Sequence, residues 1–227
     1  PICVSSERNI NSYIAVWSVI LAGCIFVPVD FKSSRSRIKS IVDKFGQKVV
    51  VGGGLDEALL IDLGLDFIAL DAHLSVDKPT EILDEIINVR PSTSPAYIIH
   101  TSGSTGIPKG VAVSELNALN YVQWCSKEFT FSNTDVFCAQ APIVFDNSIF
   151  DIFNSAKAGA ELSVLSEKEL RTPFETVSAL KKYEASVVFW VPSLLTSIWK
   201  MKSLNQSYLN TLRLCIFAGE IMPAETL

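Results

Sequence analysis

Apolar residues recur at helical spacing at Ile10, Ile14, Trp17 and Leu21, which predicts a first helix with these side chains on one face and Gly23 at its end. The run Cys24-Ile25-Phe26-Val27-Pro28-Val29-Asp30 then reads as a short β-rich segment closing in a polar loop. Helical periodicity returns over residues 36–45, and the apolar run 48–51 predicts the next strand. Further strands are predicted at 66–70, 96–100, 110–113, 136–141, 161–165, 186–191 and 212–217, with helices at 114–128, 148–157, 173–183 and 192–201. Strands that alternate with helices of this length imply right-handed βαβ units, and so an α/β fold of mainly parallel sheets covered by helices.

Residues 71–95 break the alternation. They are more polar, carry Pro79, Pro91 and Pro95, and leave room for a short helix at 80–89. This stretch is the predicted linker between a first α/β lobe, residues 1–90, and a second, residues 91–227, expected to hold the nucleotide and the substrate. Gly52-Gly53-Gly54 follows a strand but lacks the spaced glycines of a dinucleotide loop and precedes Asp56 and Glu57, so it reads as a plain turn. No internal repeat or low-complexity tract is present.

Composition narrows the function classes. The hydrophobic fraction is 48% with a mean hydropathy of +0.32, which suggests strands buried on both faces or a surface covered by another segment. A net charge of -5 and a pI near 5.1 argue against a nucleic-acid binder, and the basic cluster at 32–39 is short and Ser-interleaved. The five cysteines, Cys3, Cys24, Cys125, Cys138 and Cys215, form no C-x-x-C pair and read as reduced core residues, not as a disulfide or metal framework. The apolar stretch 13–29 is broken by Gly23 and Pro28, and no signal segment precedes it, so membrane insertion and secretion are not expected. A cytoplasmic protein is expected, and the Asn205-Gln206-Ser207 sequon is then incidental. Because the chain starts with Pro1 and stops at Leu227 inside an apparent new helix, it reads as a fragment.

The chemistry concentrates in one segment. Tyr97-Ile98-Ile99-His100 is an apolar strand, Thr101-Ser102-Gly103-Ser104-Thr105-Gly106 is small and hydroxyl-rich, and Ile107-Pro108-Lys109-Gly110-Val111 leads into another strand. Glycines allow close backbone approach, successive N–H groups can form an anion nest, hydroxyls can donate to phosphate oxygens, and Lys109 adds a positive charge. The pattern is not a Walker loop, since Pro108 precedes the lysine and Gly110 follows it. A flexible linker would not need Pro-Lys-Gly-Val between two strong strands.

At these residues the chain resembles the adenylate-forming superfamily of acyl-CoA synthetases, luciferases and amino-acid adenylation domains. The resemblance implies a partial N-terminal subdomain of such an enzyme, with ATP phosphate contacts at Thr101, Ser102, Gly103, Ser104, Thr105, Gly106 and Lys109. His100 stands where the family usually carries Tyr or Phe. Leu21-Ala22-Gly23-Cys24-Ile25-Phe26-Val27-Pro28-Val29-Asp30 is similar to an early structural motif of the family, and Phe145-Asp146-Asn147-Ser148 to the Phe-Asp-x-Ser motif of amino-acid adenylation domains. The resemblance further implies that Asp146 binds the substrate ammonium and that Asn147, Phe150, Ser193, Ile216 and Ala218 line the side-chain pocket, with Gly219, Glu220 and Ile221 against adenine. Apolar neighbours on both sides make Asp146 costly to bury without a cationic partner, and its competing role is capping of the next helix.

The reaction that the resemblance implies is ATP-dependent activation of an amino acid to its adenylate, with pyrophosphate released and a carrier-protein thiol as next acceptor. Nonribosomal peptide synthetase domains and D-alanine carrier-protein ligases fit equally well. The implied cofactors are ATP and Mg2+. The Mg2+ ligand, the ribose-binding Asp and the catalytic Lys are expected beyond Leu227, so the isolated chain is expected to be inactive and no metal ligand is assigned within it. A CoA ligase for a fatty or aryl acid, disfavoured by Asp146, and a non-catalytic adenylate-binding module are the alternatives. A serine hydrolase is excluded in practice, because there is no G-x-S-x-G elbow and the only histidines are His73 and His100.

Overall fold

The computed structural model describes residues 1–46, 48–70, 91–101, 108–201 and 210–226. The helix expected at 80–89, the sequon and the centre of the hydroxyl-rich segment lie outside the described residues. The chain divides into two compact units, Pro1–Tyr121 and Val122–Leu227.

The first unit carries β1 (Ile2–Ser5), α1 (Ile10–Leu21), β2 (Phe26–Val29), α2 (Arg35–Val42), β3 (Val49–Gly52), α3 (Glu57–Leu63), β4 (Asp66–Ala69), β5 (Pro95–Thr101) and β6 (Lys109–Ser114). α4 (Glu115–Phe129) comes next and runs across the division. The strands form one six-stranded sheet in the order β4-β3-β1-β2-β5-β6, parallel except for the antiparallel β5–β6 pair.

Division of the chain at Tyr121 differs from the boundary expected at the polar stretch. Its cause is strand pairing: Tyr97 of β5 lies beside Phe26 of β2, and β6 then pairs with β5. Residues 71–94 therefore connect two strands of the same sheet.

The core under this sheet gathers Val27, Val29, Ile38, Ile41, Val50, Leu60 and Leu63. α2 is started by Ser34, whose hydroxyl accepts from the Arg37 N–H, and α3 by Asp56, whose carboxylate accepts from the Ala58 N–H at 3.0 Å. α3 is a seven-residue helix ended by Gly64 at φ 62°, too short to show a periodic signal. β1, four residues at the start of the chain, likewise carries no signal of its own.

α1 has the predicted bounds, and the face it turns inward is not the one that carries Ile10, Ile14 and Leu21. It buries Ser12, Tyr13, Ala15, Val16 and Val19, and leaves Ile10, Ile14 and Leu21 exposed. The helix is apolar nearly all round, so periodicity marks no unique face. Ala15 and Val16 are the small side chains that allow it to sit close on β1 and β3.

The second unit carries β7 (Val136–Ala139), α5 (Asn147–Ala158), β8 (Glu161–Val164), α6 (Pro173–Lys182), β9 (Val187–Trp190), α7 (Pro192–Lys200) and β10 (Leu214–Phe217), then a short 3-10 turn at Ala224–Thr226. Its four strands are all parallel, in the order β10-β9-β7-β8. None of the five cysteines forms a disulfide. Cys3, Cys125 and Cys138 are buried, and burial pushes the Cys3 thiol up to about 11, whereas Cys215 is exposed. No described helix is long and apolar enough to cross a membrane.

Candidate active site

In the first unit the hydroxyl-rich segment leaves one strand and re-enters its antiparallel neighbour. Thr101, the last residue of β5, pairs with Lys109, the first of β6, and its hydroxyl donates to the Lys109 carbonyl at 3.5 Å. Both side chains are exposed. Ser102, Gly103, Ser104, Thr105 and Gly106 lie outside the described residues. Pro108, just before Lys109, is buried, and its carbonyl accepts from the Lys44 ammonium.

His100 supports this mouth from within the sheet. Its ring meets Phe45 edge-on at 6.1 Å, and neither ring nitrogen has a hydrogen-bond partner. Burial, helped by the nearby positive charges of Lys44 and Arg37, lowers its pKa to about 4, so the imidazole is neutral at pH 7. Gly110 opposite is sterically required: a Cβ there would stand 2.8 Å from Ile98 Cγ2 and 3.1 Å from His100 Nε2.

In the second unit Asp146 precedes the first residue of α5. Asp146 is exposed, as is the flanking Phe145 at 58%, so its carboxylate does not bear the cost of burial. Nor does Asp146 cap the helix, since its side chain makes no capping hydrogen bond. Ser148 does the structural work of the motif. Fully buried, it donates from Oγ to the Phe145 carbonyl at 2.6 Å and fixes the turn that presents Asp146 outward.

Asn147 is half-buried and Phe150 is 1% exposed. Phe150 is the hub of a ring cluster, with Phe189 at 5.1 Å, Phe131 at 5.7 Å, Phe137 at 5.9 Å and Phe129 at 6.3 Å. In the described residues it therefore packs as core. Ile216 and Ala218 are half-buried on and just after β10, Gly219 has φ 91°, and Ile221 stands 93% exposed in the turn beyond. Glu220 and Ser193, expected to touch adenine and substrate respectively, contact each other: Ser193 donates from N–H at 2.8 Å and from Oγ at 3.1 Å to the Glu220 carboxylate.

No sequence motif points to one further buried residue of this region. Asp151 on α5 is fully buried with both carboxylate oxygens unpartnered, and burial pushes its pKa well above the carboxylate range. The only signal for it is an acidic residue inside the apolar run Ile149-Phe150-Asp151-Ile152-Phe153. Among the described residues no group of three His, Cys, Asp or Glu side chains forms a metal site.

Parallel α/β units, one of them opening a β5–β6 mouth onto a hydroxyl-rich segment, give the fold of adenylate-forming enzymes. The chain belongs to the AMP-binding enzyme family, which it matches over residues 1–227. It is 29% identical over 232 residues to the L-proline--L-prolyl-carrier protein ligase of Pseudomonas fluorescens, covering 98% of this chain and 46% of that protein. Against the D-alanine--D-alanyl carrier protein ligase of Bacillus velezensis the identity is 28%, over 99% of this chain and 44% of that one. The crystal structure of the nonribosomal peptide synthetase FmoA3 superimposes with a TM-score of 0.78 at 26% identity, over 99% of this chain and 24% of that chain. The chain thus spans less than half the length of these relatives.

Proposed function

We propose that the full-length protein activates the carboxylate of an amino acid with ATP and passes the acyl group to a carrier-protein thiol. In the first step a substrate carboxylate oxygen bonds to the α-phosphorus of ATP while the bond to the β-phosphate oxygen breaks, giving an aminoacyl-adenylate and pyrophosphate. In the second, the thiol sulfur bonds to the acyl carbon, its proton goes to solvent, and AMP leaves. No general base is needed in the first step, because the substrate carboxylate is already an anion at neutral pH. Alignment of two anions and stabilisation of the leaving pyrophosphate are the protein's tasks, and Lys109 is suited to the second. Mg2+ would share that charge. The donors described in this chain do not form a site for it, so no step is assigned to the metal. The carrier-protein ligases among the relatives support the second step, and the use of ATP together with five cysteines outside any disulfide supports a cytoplasmic setting.

The observation that carries the amino-acid reading is Asp146, held by the Ser148-locked turn with an exposed carboxylate that caps nothing. Such a group is free to pair with a ligand ammonium. The test is amino-acid-dependent ATP–pyrophosphate exchange by the full-length protein, each amino acid compared with its deaminated analogue. Wild type should discriminate strongly between them. Asp146→Ala should lose about tenfold to a hundredfold in kcat/KM for the amino acid, the range of one charge-assisted contact, and should no longer discriminate. Equal adenylation of both acids by wild type would sink the amino-acid assignment.

A further inference from the structure

Helix α7 begins without a polar cap of its own. Its N-cap residue is Val191, which offers no side-chain acceptor, and Pro192 at the first helical position removes one N–H from the set that needs a partner. The next N–H, that of Ser193, is satisfied from 27 residues away by Glu220, whose second oxygen takes the Ser193 hydroxyl. A carboxylate at a helix N-terminus is also favoured by the helix dipole. The strand ends make this reach possible. β9 runs into α7 and β10 into the turn with Gly219, the two strands are parallel neighbours with Phe217 beside Trp190, and the Ala218 N–H donates to the Trp190 carbonyl at 3.4 Å. Glu220 therefore clamps the start of α7 to the turn that follows β10.

We infer that Glu220 is a positioning residue that couples the two substrate subsites. It holds Ser193, on the wall expected beside the substrate side chain, to residues 218–221, expected beside adenine, and does not itself contact the base. This inference rests on the proposed function for what the two walls bind, but not for the clamp. Loss of the clamp should weaken both ligands together, which neither a pure adenine contact nor a general loss of folded protein would do.

The experiment is a double-mutant cycle of Ser193→Ala and Glu220→Gln in the full-length protein, read by pyrophosphate exchange and by thermal unfolding. Glu220→Gln should raise KM for the amino acid and for ATP in parallel, each about three- to tenfold for an exposed charge-assisted pair, with a smaller change in kcat. Ser193→Ala should raise both by a smaller common factor, and the double variant should be no worse than Glu220→Gln. Preference for ATP over GTP should not change. A rise in the ATP KM alone, a relaxed ATP preference, or additive effects of the two substitutions would overturn the clamp. If Glu220→Gln folds poorly, Ser193→Ala alone still decides, because it must shift both KM values in the same ratio. A wild type without amino-acid-dependent exchange would overturn the proposed function instead. The unfolding cycle would still read the clamp, with non-additive losses expected and additive ones contradicting it.

Discussion

His100 shows how one side chain near the end of β5 is tuned by its neighbours. Its ring sits against Phe45, faces the Lys44 and Arg37 charges, and has two unpartnered nitrogens, so only the neutral form is tolerated. The linkage has a definite sign. With the folded pKa lowered to about 4 and the unfolded one near 6.5, the unfolded chain binds the extra proton between these values, so this residue makes stability fall as pH drops from about 6.5 to about 4. His100→Phe should remove that part of the pH dependence and cost little at pH 7, since an apolar ring replaces unpartnered polar atoms. Urea unfolding of both proteins at pH 7 and pH 4.5 checks this; equal losses in the two would refute it. Lys109, by contrast, is exposed beside the segment it is expected to serve, and Lys109→Ala in the full-length protein should weaken ATP or pyrophosphate handling about tenfold to a hundredfold while leaving amino-acid KM nearly unchanged. A changed amino-acid preference with unaltered ATP kinetics would displace Lys109 from the phosphates. Residues such as Lys109 and Asp146 are legible in the sequence because each belongs to a contiguous motif. The Lys44–Pro108 and Glu220–Ser193 contacts are not, because their partners are 64 and 27 residues apart and only the packing within each unit brings them together.

Among elements, the strands of the second unit are tied together at their N-terminal ends. Asp135 before β7, Ser186 before β9 and Arg213 before β10 form one network: Arg213 donates to Asp135 at 2.7 and 2.6 Å, and the Ser186 hydroxyl donates to Asp135 at 2.8 Å. Arg213 also reaches the Phe129 and Thr130 carbonyls at the end of α4. The guanidinium, with the Ser132 and Ser186 donors, outweighs burial and holds the Asp135 carboxyl well below the usual range. A depressed carboxylate stabilises the fold above its unfolded pKa of about 3.9, and that contribution is lost as pH falls below it. Glu169 acts in the same direction: burial raises its pKa, but the Ser166 N–H and hydroxyl, Tyr183 and Lys182 together hold it at about 2. Arg213→Ala should therefore destabilise by on the order of 3 kcal/mol at pH 7, leaving a buried carboxylate short of its cation, and should lose less on going to pH 3 than wild type does. Denaturant titrations at the two pH values measure both effects, and parallel losses would show that the pair is not what holds Asp135. Most of these elements are readable from periodicity, including β7 to β10 and the helices between them. The face of α1 is not, because a helix apolar on nearly every side leaves the choice to side-chain size and sheet contact. α3 escapes for its length, and the role of β5 and β6 because pairing across a sheet is not encoded in local pattern.

For the whole molecule, the high apolar content has two visible sources. Inner strands such as β2 are buried along their entire length, as expected of parallel sheets covered on both faces, while β4, β6 and β10 at sheet edges are more open. A second share stands on the surface, in Ile10, Ile14, Leu119, Trp124, Phe174 and Ile221. Within this scaffold the β5–β6 pair is the one antiparallel ladder among the described strand pairs. A parallel crossover must travel the length of a strand before it can return, so its length is tied to the elements it spans. The segment between Thr101 and Lys109 begins and ends at the same rung. The spacing of its two anchor residues, Thr101 and Lys109, is therefore set by the β5–β6 pairing itself and by no crossover elsewhere in the sheet.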